Sequence, residues 1–401
     1  MLNRATPKFR HKYVIIIFMD TETRARRQQI KLIISETLMF VSVIITAVIL
    51  AFLASGYWIN SDFEVQRQGM LQIHSLPTGA DVEIDGETAW LQRTNTSKVL
   101  SSGDHHIVLT KENYDSWEKT VTISEGLLYR INYPRLFLVE RESELYYDAK
   151  PYTTALASPN HNYLLLGDGT ASYTVLRLNS DRPETIDFNL TTLKSTDSNA
   201  DYSSAELFAD FLPVLEWDDT HLIATVNEKH YKINWRNSEI ILIPEKEPSE
   251  EEPKLPGKNF RFYDEEYGAV IEENTIKLYK RNQREPEIVF EASLDFIPSI
   301  TKISDSGAFV FMNTAEKIAV LDLEIMKLTE WTLDSTDYGW LDSNMLYSIK
   351  DGSLIVYDYD GANRRELSTG LMANLPVTIT EDKWLYYFNV NGEIIREIIA
   401  R

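Results

Sequence analysis

Few residues in this chain stand at spacings that do chemistry. Ser116-Trp117-Glu118-Lys119 has the Ser-x-x-Lys spacing of an acyl-transfer nucleophile and its base. The surrounding alternation is that of a strand, where residues three apart face opposite ways, so the pair cannot work together. The companion Lys-Thr-Gly motif is absent. His105 and His106 are adjacent and, on a strand, point apart, which suits neither chelation nor a proton relay. His221 and His230 fall on one expected hairpin, but no third ligand is suitably spaced, so hydrogen bonding is their expected role. Asp358-Tyr359-Asp360-Gly361 has part of a calcium loop without the further oxygens and the terminal glutamate such a loop needs. Asp-Gly at a strand end is expected to make a turn instead. Arg364, Arg365, Arg396 and Arg401 are cations in an acidic region, linked only by strand geometry. There is no Gly-x-Ser-x-Gly elbow, Walker-type loop or His-Glu-x-x-His motif. The absence of cysteine removes disulfides, thiolate metal sites and a cysteine nucleophile together. The expectation is no catalytic, metal or cofactor residue, with the binding residues unassigned.

The elements that carry these residues begin with Leu38–Tyr57, LMFVSVIITAVILAFLASGY, a run without a charge. Twenty such residues make about 30 Å of helix, the thickness of a bilayer's hydrocarbon core. Residues 35–59 are therefore expected as a transmembrane helix that contacts lipid through 38–57, with Tyr57 and Trp58 as an interfacial belt. Glu36 is expected in the first turn, able to reach the interface. The apolar run is about twice the length of a signal-peptide core, so an uncleaved anchor is expected. Residues 1–34 are basic: Arg4, Lys8, Arg10, Lys12, Arg24, Arg26, Arg27 and Lys31 face only Asp20 and Glu22. Tyr13–Met19 is too short to span a bilayer. The net charge is −21, and because the first 34 residues are +6, the remainder is −27. Positive charge beside an anchor stays cytoplasmic, which puts the N-terminus inside and the rest outside. An acidic body is repelled by phosphate backbones, so nucleic acid is not an expected partner.

From Gly69 the apolar period becomes two. LQIHS (71–75), DVEID (81–85), HHIVLT (105–110) and KTVTIS (119–124) alternate as half-buried strands do, and Asp85-Gly86 is a hairpin pair. Pro77-Thr78-Gly79-Ala80 running into Asp81-Val82-Glu83-Ile84-Asp85-Gly86 resembles the start of a PEGA domain. Leu100, the Gly103-Asp104-His105 turn and Asn113-Tyr114 resemble its second half, with Thr78 for the motif's Glu and Asn113 for its Gly. Asn is the next-best residue for a left-handed turn. The resemblance implies a small β-sandwich over 69–138.

Beyond Glu142, strand pairs recur with first strands at 163, 221, 268, 307, 345 and 384. The steps are 58, 47, 39, 38 and 39 residues. A period near 40 built of strands is the signature of propeller blades. The long steps are read as insertions, one at 190–203 and a flexible acidic one at 244–257. SPNHNYLLL (158–166), WDDTHLIATV (217–226) and VYDYDGANRREL (356–367) resemble blades of TolB-type and WD40-like propellers. Residues 142–401 are expected to form six blades, with five or seven as neighbouring counts. Trp340, Tyr347, Trp384 and Tyr387 would supply bulk between blades, and ELYYD (144–148) would close the ring on the terminal IIREIIA.

The expected fold is thus mainly β: one transmembrane helix, a PEGA-like β-sandwich and a TolB/WD40-like propeller. The resemblances imply a non-enzymatic, membrane-anchored extracytoplasmic binding or scaffold protein of the bacterial cell envelope. Its expected partners are envelope proteins or cell-wall polymer; the oligomeric state is not specified. The alternative is a propeller-hosted glycan-active or other hydrolase with loop carboxylates at the axis, recognisable by two carboxylates about 5–9.5 Å apart.

Overall fold

The computed structural model describes residues 31–51, 57–59, 65–148, 152–158, 160–195, 212–217, 220–226, 229–243, 258–261, 267–280, 287–303, 308–314, 316–333, 335 and 337–401. The basic segment 1–30 and the acidic insertion 244–257 lie outside these residues. Helix Lys31–Ala51 is 21 residues long and apolar enough to cross a membrane. At 1.5 Å per residue it reaches about 31 Å. Its apolar side chains find no protein surface: Leu38 and Phe40 are each 70% exposed. Thr37, Ser42 and Thr46 return their hydroxyls to backbone carbonyls within the helix, which leaves no polar side chain of this set seeking solvent. The expected helix over 35–59 is corrected at its C-terminal end, because Tyr57–Ile59 is a strand antiparallel to Val65–Ile73, with Tyr57 opposite Arg67. An aromatic and β-branched triplet after Ser55-Gly56 suits a strand better than a continued helix. Glu36 lies inside the helix, beyond its first described turn.

The chain divides into two compact units. The first takes the described residues of Met1–Gln72, Ser97–His105 and Val121–Arg130; the second takes Ile73–Thr96, His106–Thr120 and Ile131–Arg401. In the first, Val65–Ile73 pairs with Tyr57–Ile59, Thr96–Ser101 and Leu128–Ile131. Gly69 is required there, since a Cβ would stand 2.4 Å from Ile123.

The expected PEGA-type strands come next, divided between the two units. Glu87–Arg93, Asp81–Ile84, Gly103–Thr110 and Trp117–Ile123 form one sheet in that order. Alternation sets its buried face through Val82, Ile84, Ile107, Leu109 and Trp117. Asp85 and Gly86 take positive φ at the hairpin, and Asn113 sits at φ 66, as its place in the motif requires. His105 and His106 lie within the strand rather than in a turn; Gly103, at φ 129, marks where the chain reverses.

Among the described residues six further sheets follow along the chain. Four are four-stranded antiparallel meanders whose second strands are Tyr163–Gly167, Tyr267–Glu272, Phe309–Asn313 and Met345–Lys350. The sheet holding His221–Val226 gains a fifth strand: Lys194–Ser195 adds parallel to Glu239–Leu242. The stretch expected as an insertion from 190 thus supplies a short 3₁₀ turn, Leu190–Thr192, and that strand, because Leu190 is fully buried and anchors it. The last sheet combines Thr378–Thr380, Trp384–Phe388 and Ile394–Ile398 with Ser143–Tyr147, so the strand expected to close the repeat pairs with the C-terminal one.

Neighbouring sheets pack through continuous apolar clusters. Tyr163, Leu165, Phe188, Leu222, Tyr231 and Trp235 join the first two of the six. Tyr347, Val356, Leu385 and Tyr387 join the fifth and sixth. Leu164, Leu166 and Leu176 of the first sheet meet Tyr386, Phe388 and Ile394 of the last. Each such side chain contributes about 1.5–3 kcal/mol by leaving water. One antiparallel sheet cannot cover both of its own faces, and stacking supplies the cover.

Candidate functional site

Two of the stretches that drew notice in the sequence, Ser116–Lys119 and Asp358–Arg365, meet in a buried seam inside the second unit. Trp117 and Lys119 lie two apart on one strand, hence on one face, and that face is turned inward. Trp117 is fully buried and donates Nε1–H to Asp358 Oδ2 at 2.8 Å. The Lys119 ammonium stands 2.5 Å from Asp360 Oδ2, with the rings of Tyr133 and Tyr359 at 4.8 and 4.9 Å. Burial with an opposite charge and two aromatic faces is how an ammonium survives away from water.

The Asp358–Arg365 loop supplies the other side. Gly361 takes φ +81, and a Cβ there would stand 2.8 Å from Trp331. The Asn363 amide acts as a short strand partner: Nδ2 donates to Glu118 O at 3.0 Å and Oδ1 accepts from Glu118 N at 3.2 Å. Asn363 Nδ2 also reaches Asp358 Oδ2 at 2.8 Å, and Arg365 donates to the carbonyl of Ser116. Asp358 is 1% exposed, and burial pushes its carboxyl up to about 6 against the lowering influence of Lys119, Asn363 and Trp117. Burial also depresses the Arg365 guanidinium, opposed by Asp358 and Asp115. Aromatic contacts extend the seam: Tyr133 packs edge-on to Tyr359, and Tyr359 stacks on Phe309 at 4.4 Å. Phe309 in turn stacks on Trp340, so Trp340 does supply bulk between adjacent sheets.

Two further, partly buried ion groups brace the same unit. Arg135 binds Asp342 Oδ2 at 3.0 Å and Asp382 Oδ1 at 2.6 Å. Arg141 Nε meets Glu397 Oε1 at 2.7 Å, while Ser368 and Tyr387 donate to Glu397 Oε2. The C-terminus is stitched in as well, with Tyr114 bonded to both backbone groups of Arg401.

Ser116 stands just before the strand Trp117–Ile123 rather than on it, and it is parted from Lys119: one offers a carbonyl to Arg365, the other an ammonium to Asp360. Asp358-Gly361 is a turn and a docking loop. His105 is buried against the carbonyl of Ser101, and His106 is exposed near Glu118. The register sets His221 opposite Asn234 and His230 opposite Thr225, and His221 bonds Thr220 and Asn234. Among the described residues no three His, Cys, Asp or Glu side chains gather as metal ligands. Arg365, Arg396 and Arg401 serve Ser116, Glu144 and Glu142 in turn, each on its own partner. Lys119 did leave a trace in the sequence: it is the one charge on the inward face Trp117, Lys119, Val121, Ile123. Nothing in the sequence pointed to its partners some 240 residues away.

A groove of about 260 Å³ opens elsewhere in the unit, between the loop after Ser172–Arg177 and the last sheet. It is lined by Leu178, Asn179, Ser180, Asp181, Glu381, Trp384, Tyr386 and Arg396.

Residues 68–135 match the PEGA domain family. The PEGA stretch therefore contributes Trp117, Lys119, Tyr133 and Arg135 to the seam and brace. The chain also resembles a solved structure titled as the β-propeller domain of Cps50 (Swd1) from Myceliophteria thermophila, at 10% identity and a TM-score of 0.36, covering 65% of this chain and 100% of that one. No curated protein matches the chain.

Proposed function

We propose that this protein is a membrane-anchored binding and scaffold protein of the bacterial cell envelope. Helix Lys31–Ala51 is the single-pass tether, its basic N-terminal flank inside. The PEGA β-sandwich and a six-bladed TolB/WD40-like propeller stand outside, where they contact envelope proteins or cell-wall polymer. The packing of the last repeat sheet on the first, and the pairing of Ser143–Tyr147 with Ile394–Ile398, support a ring.

The observation that carries this reading is the seam. Trp117, Lys119 and Arg135 of the PEGA stretch are bound by Asp358, Asp360, Asp342 and Asp382 of the repeat sheets. A scaffold that holds partners in register needs its modules fixed to each other, and interlocking buried charges give such specificity. Two acids whose carboxyls burial raises are tied up in the fold: Asp358 in the seam, and Asp322 in a turn, where it accepts from the backbone of Glu324 and Ile325.

The test is cross-linking in living cells followed by purification of the tagged full chain and of a control ending at Ile59. The proposal expects discrete envelope proteins or wall fragments on the full chain alone. Equal recovery on both would overturn it.

A further inference from the structure

The groove at Asp181 and Glu381 is lined mostly by polar and charged side chains, with Trp384 and Tyr386 beside them. We propose that it binds one ring of a neutral saccharide, which deepens the wall-polymer branch of the function proposed above and rests on that reading. About 260 Å³ lies below the usual range of drug-sized ligand cavities and suits a single ring better than a peptide segment.

The chemistry of the lining selects the class. Asp181 and Glu381 have neither hydrogen-bond nor ion-pair partner among the described residues, so both carboxylates are available to accept from hydroxyls. Arg396 is already satisfied: it binds Glu144 through Nε at 2.9 Å and Ser180 O through Nη1 at 3.3 Å. Its guanidinium stacks on Trp384 at 4.4 Å and on Tyr146 at 5.0 Å, and the Lys383 ammonium lies 4.8 Å from the Trp384 ring. An anionic ligand would be opposed by the two free carboxylates. A polyhydroxyl ligand pairs with acceptors and donors alike and brings no charge to desolvate.

The site is also held in shape. Glu381 and Asp382 occupy successive left-handed positions, φ 51 and 55, in the turn closed by Lys383 N–H to Thr380 O at 3.0 Å. Neither is Gly or Asn, so the turn carries backbone strain. Arg135 offsets it from behind by gripping both the side chain and the carbonyl of Asp382. Tyr386 bonds the Leu178 carbonyl and Arg396 the Ser180 carbonyl, which ties the opposite rim to the last sheet. A site set before binding spends less of its interaction energy on ordering.

The experiment is calorimetric titration of the full chain in nanodiscs with neutral tetrasaccharides: chitotetraose, cellotetraose, maltotetraose and mannotetraose. The cationic tetramer of glucosamine and the anionic tetramer of galacturonate are the charged arms. We expect at least one neutral sugar to bind with submillimolar Kd, and Asp181→Ala and Glu381→Ala each to weaken it at least tenfold. Both residues are exposed, and circular dichroism will confirm that each variant remains folded. Absence of binding by all four neutral sugars, binding only of a charged arm, or affinity unchanged in both variants would overturn the proposal. Those outcomes leave protein capture by the full chain untouched, so failure here is separable from failure of the scaffold reading.

Discussion

Replacing Asp358 by Asn tests the seam at its most buried charge. The carboxyl titrates at about 6 in the folded chain against an ordinary 3.8. A raised folded value means the native state binds a proton more tightly than the unfolded chain. The stability from this group is therefore full below about pH 4 and is lost as pH rises through about 6. Two pKa units correspond to about 3 kcal/mol. Asn is nearly isosteric, does not ionise, and its carbonyl oxygen still accepts from Trp117 Nε1 and Asn363 Nδ2. Wild type and Asp358→Asn should thus differ in a pH-dependent way, with the variant gaining about 3 kcal/mol on wild type between pH 4 and pH 8. Urea unfolding followed by tryptophan fluorescence at both pH values measures this. Asp322, Asp337 and Glu330, whose carboxyls burial also raises, titrate in both proteins and cancel in the comparison. A difference that does not change with pH, or one that moves in favour of wild type as pH rises, would refute the burial argument.

Other substitutions separate buried from exposed charge and crowded from open turns. Arg141→Met leaves Glu397 buried without its cation and should cost about 3–5 kcal/mol in urea unfolding, with Glu397→Gln restoring much of the loss. Arg93→Gln removes an ion pair to Asp81 whose two side chains are 69% and 55% exposed, and should stay within about 0.5 kcal/mol by the same measurement. Gly361→Ala meets both a left-handed φ and the Trp331 ring, so about 2–4 kcal/mol is expected in thermal unfolding. Gly392→Ala shares the left-handed φ in open space and should cost about 1 kcal/mol.

Repeat and register were legible because they are local. Starts expected at 163, 221, 268, 307, 345 and 384 correspond to strands beginning at Tyr163, His221, Tyr267, Phe309, Met345 and Trp384. Alternation reports burial, and turns of the Asp85-Gly86 and Asp351-Gly352 type report hairpins through residues that tolerate positive φ. Two of the local readings that erred concern the bounds of elements. Tyr57–Ile59 was absorbed into the apolar helix because hydropathy does not mark where a helix stops. The stretch from Leu190 was taken for an insertion because its polar residues conceal one buried leucine. The seam was invisible for a different reason: pairing Trp117 with Asp358, or Lys119 with Asp360, depends on which sheet comes to rest beside which, and no periodicity encodes that. The groove is split the same way, with Asp181 and Glu381 separated by most of the repeat.

The proposed function depends on helix Lys31–Ala51 holding the β modules on the outer side of a membrane. The chain has no cysteine, so single cysteines can be placed at will. Val390, 70% exposed in the turn before Ile394–Ile398, reports the β modules, and Thr6 reports the basic segment. Labelling intact cells that express Val390→Cys or Thr6→Cys with a membrane-impermeant maleimide decides the arrangement. The account predicts modification at 390 and none at 6 until the cells are opened. Protection of 390 together with modification of 6, or equal modification of both in a soluble fraction, would contradict it.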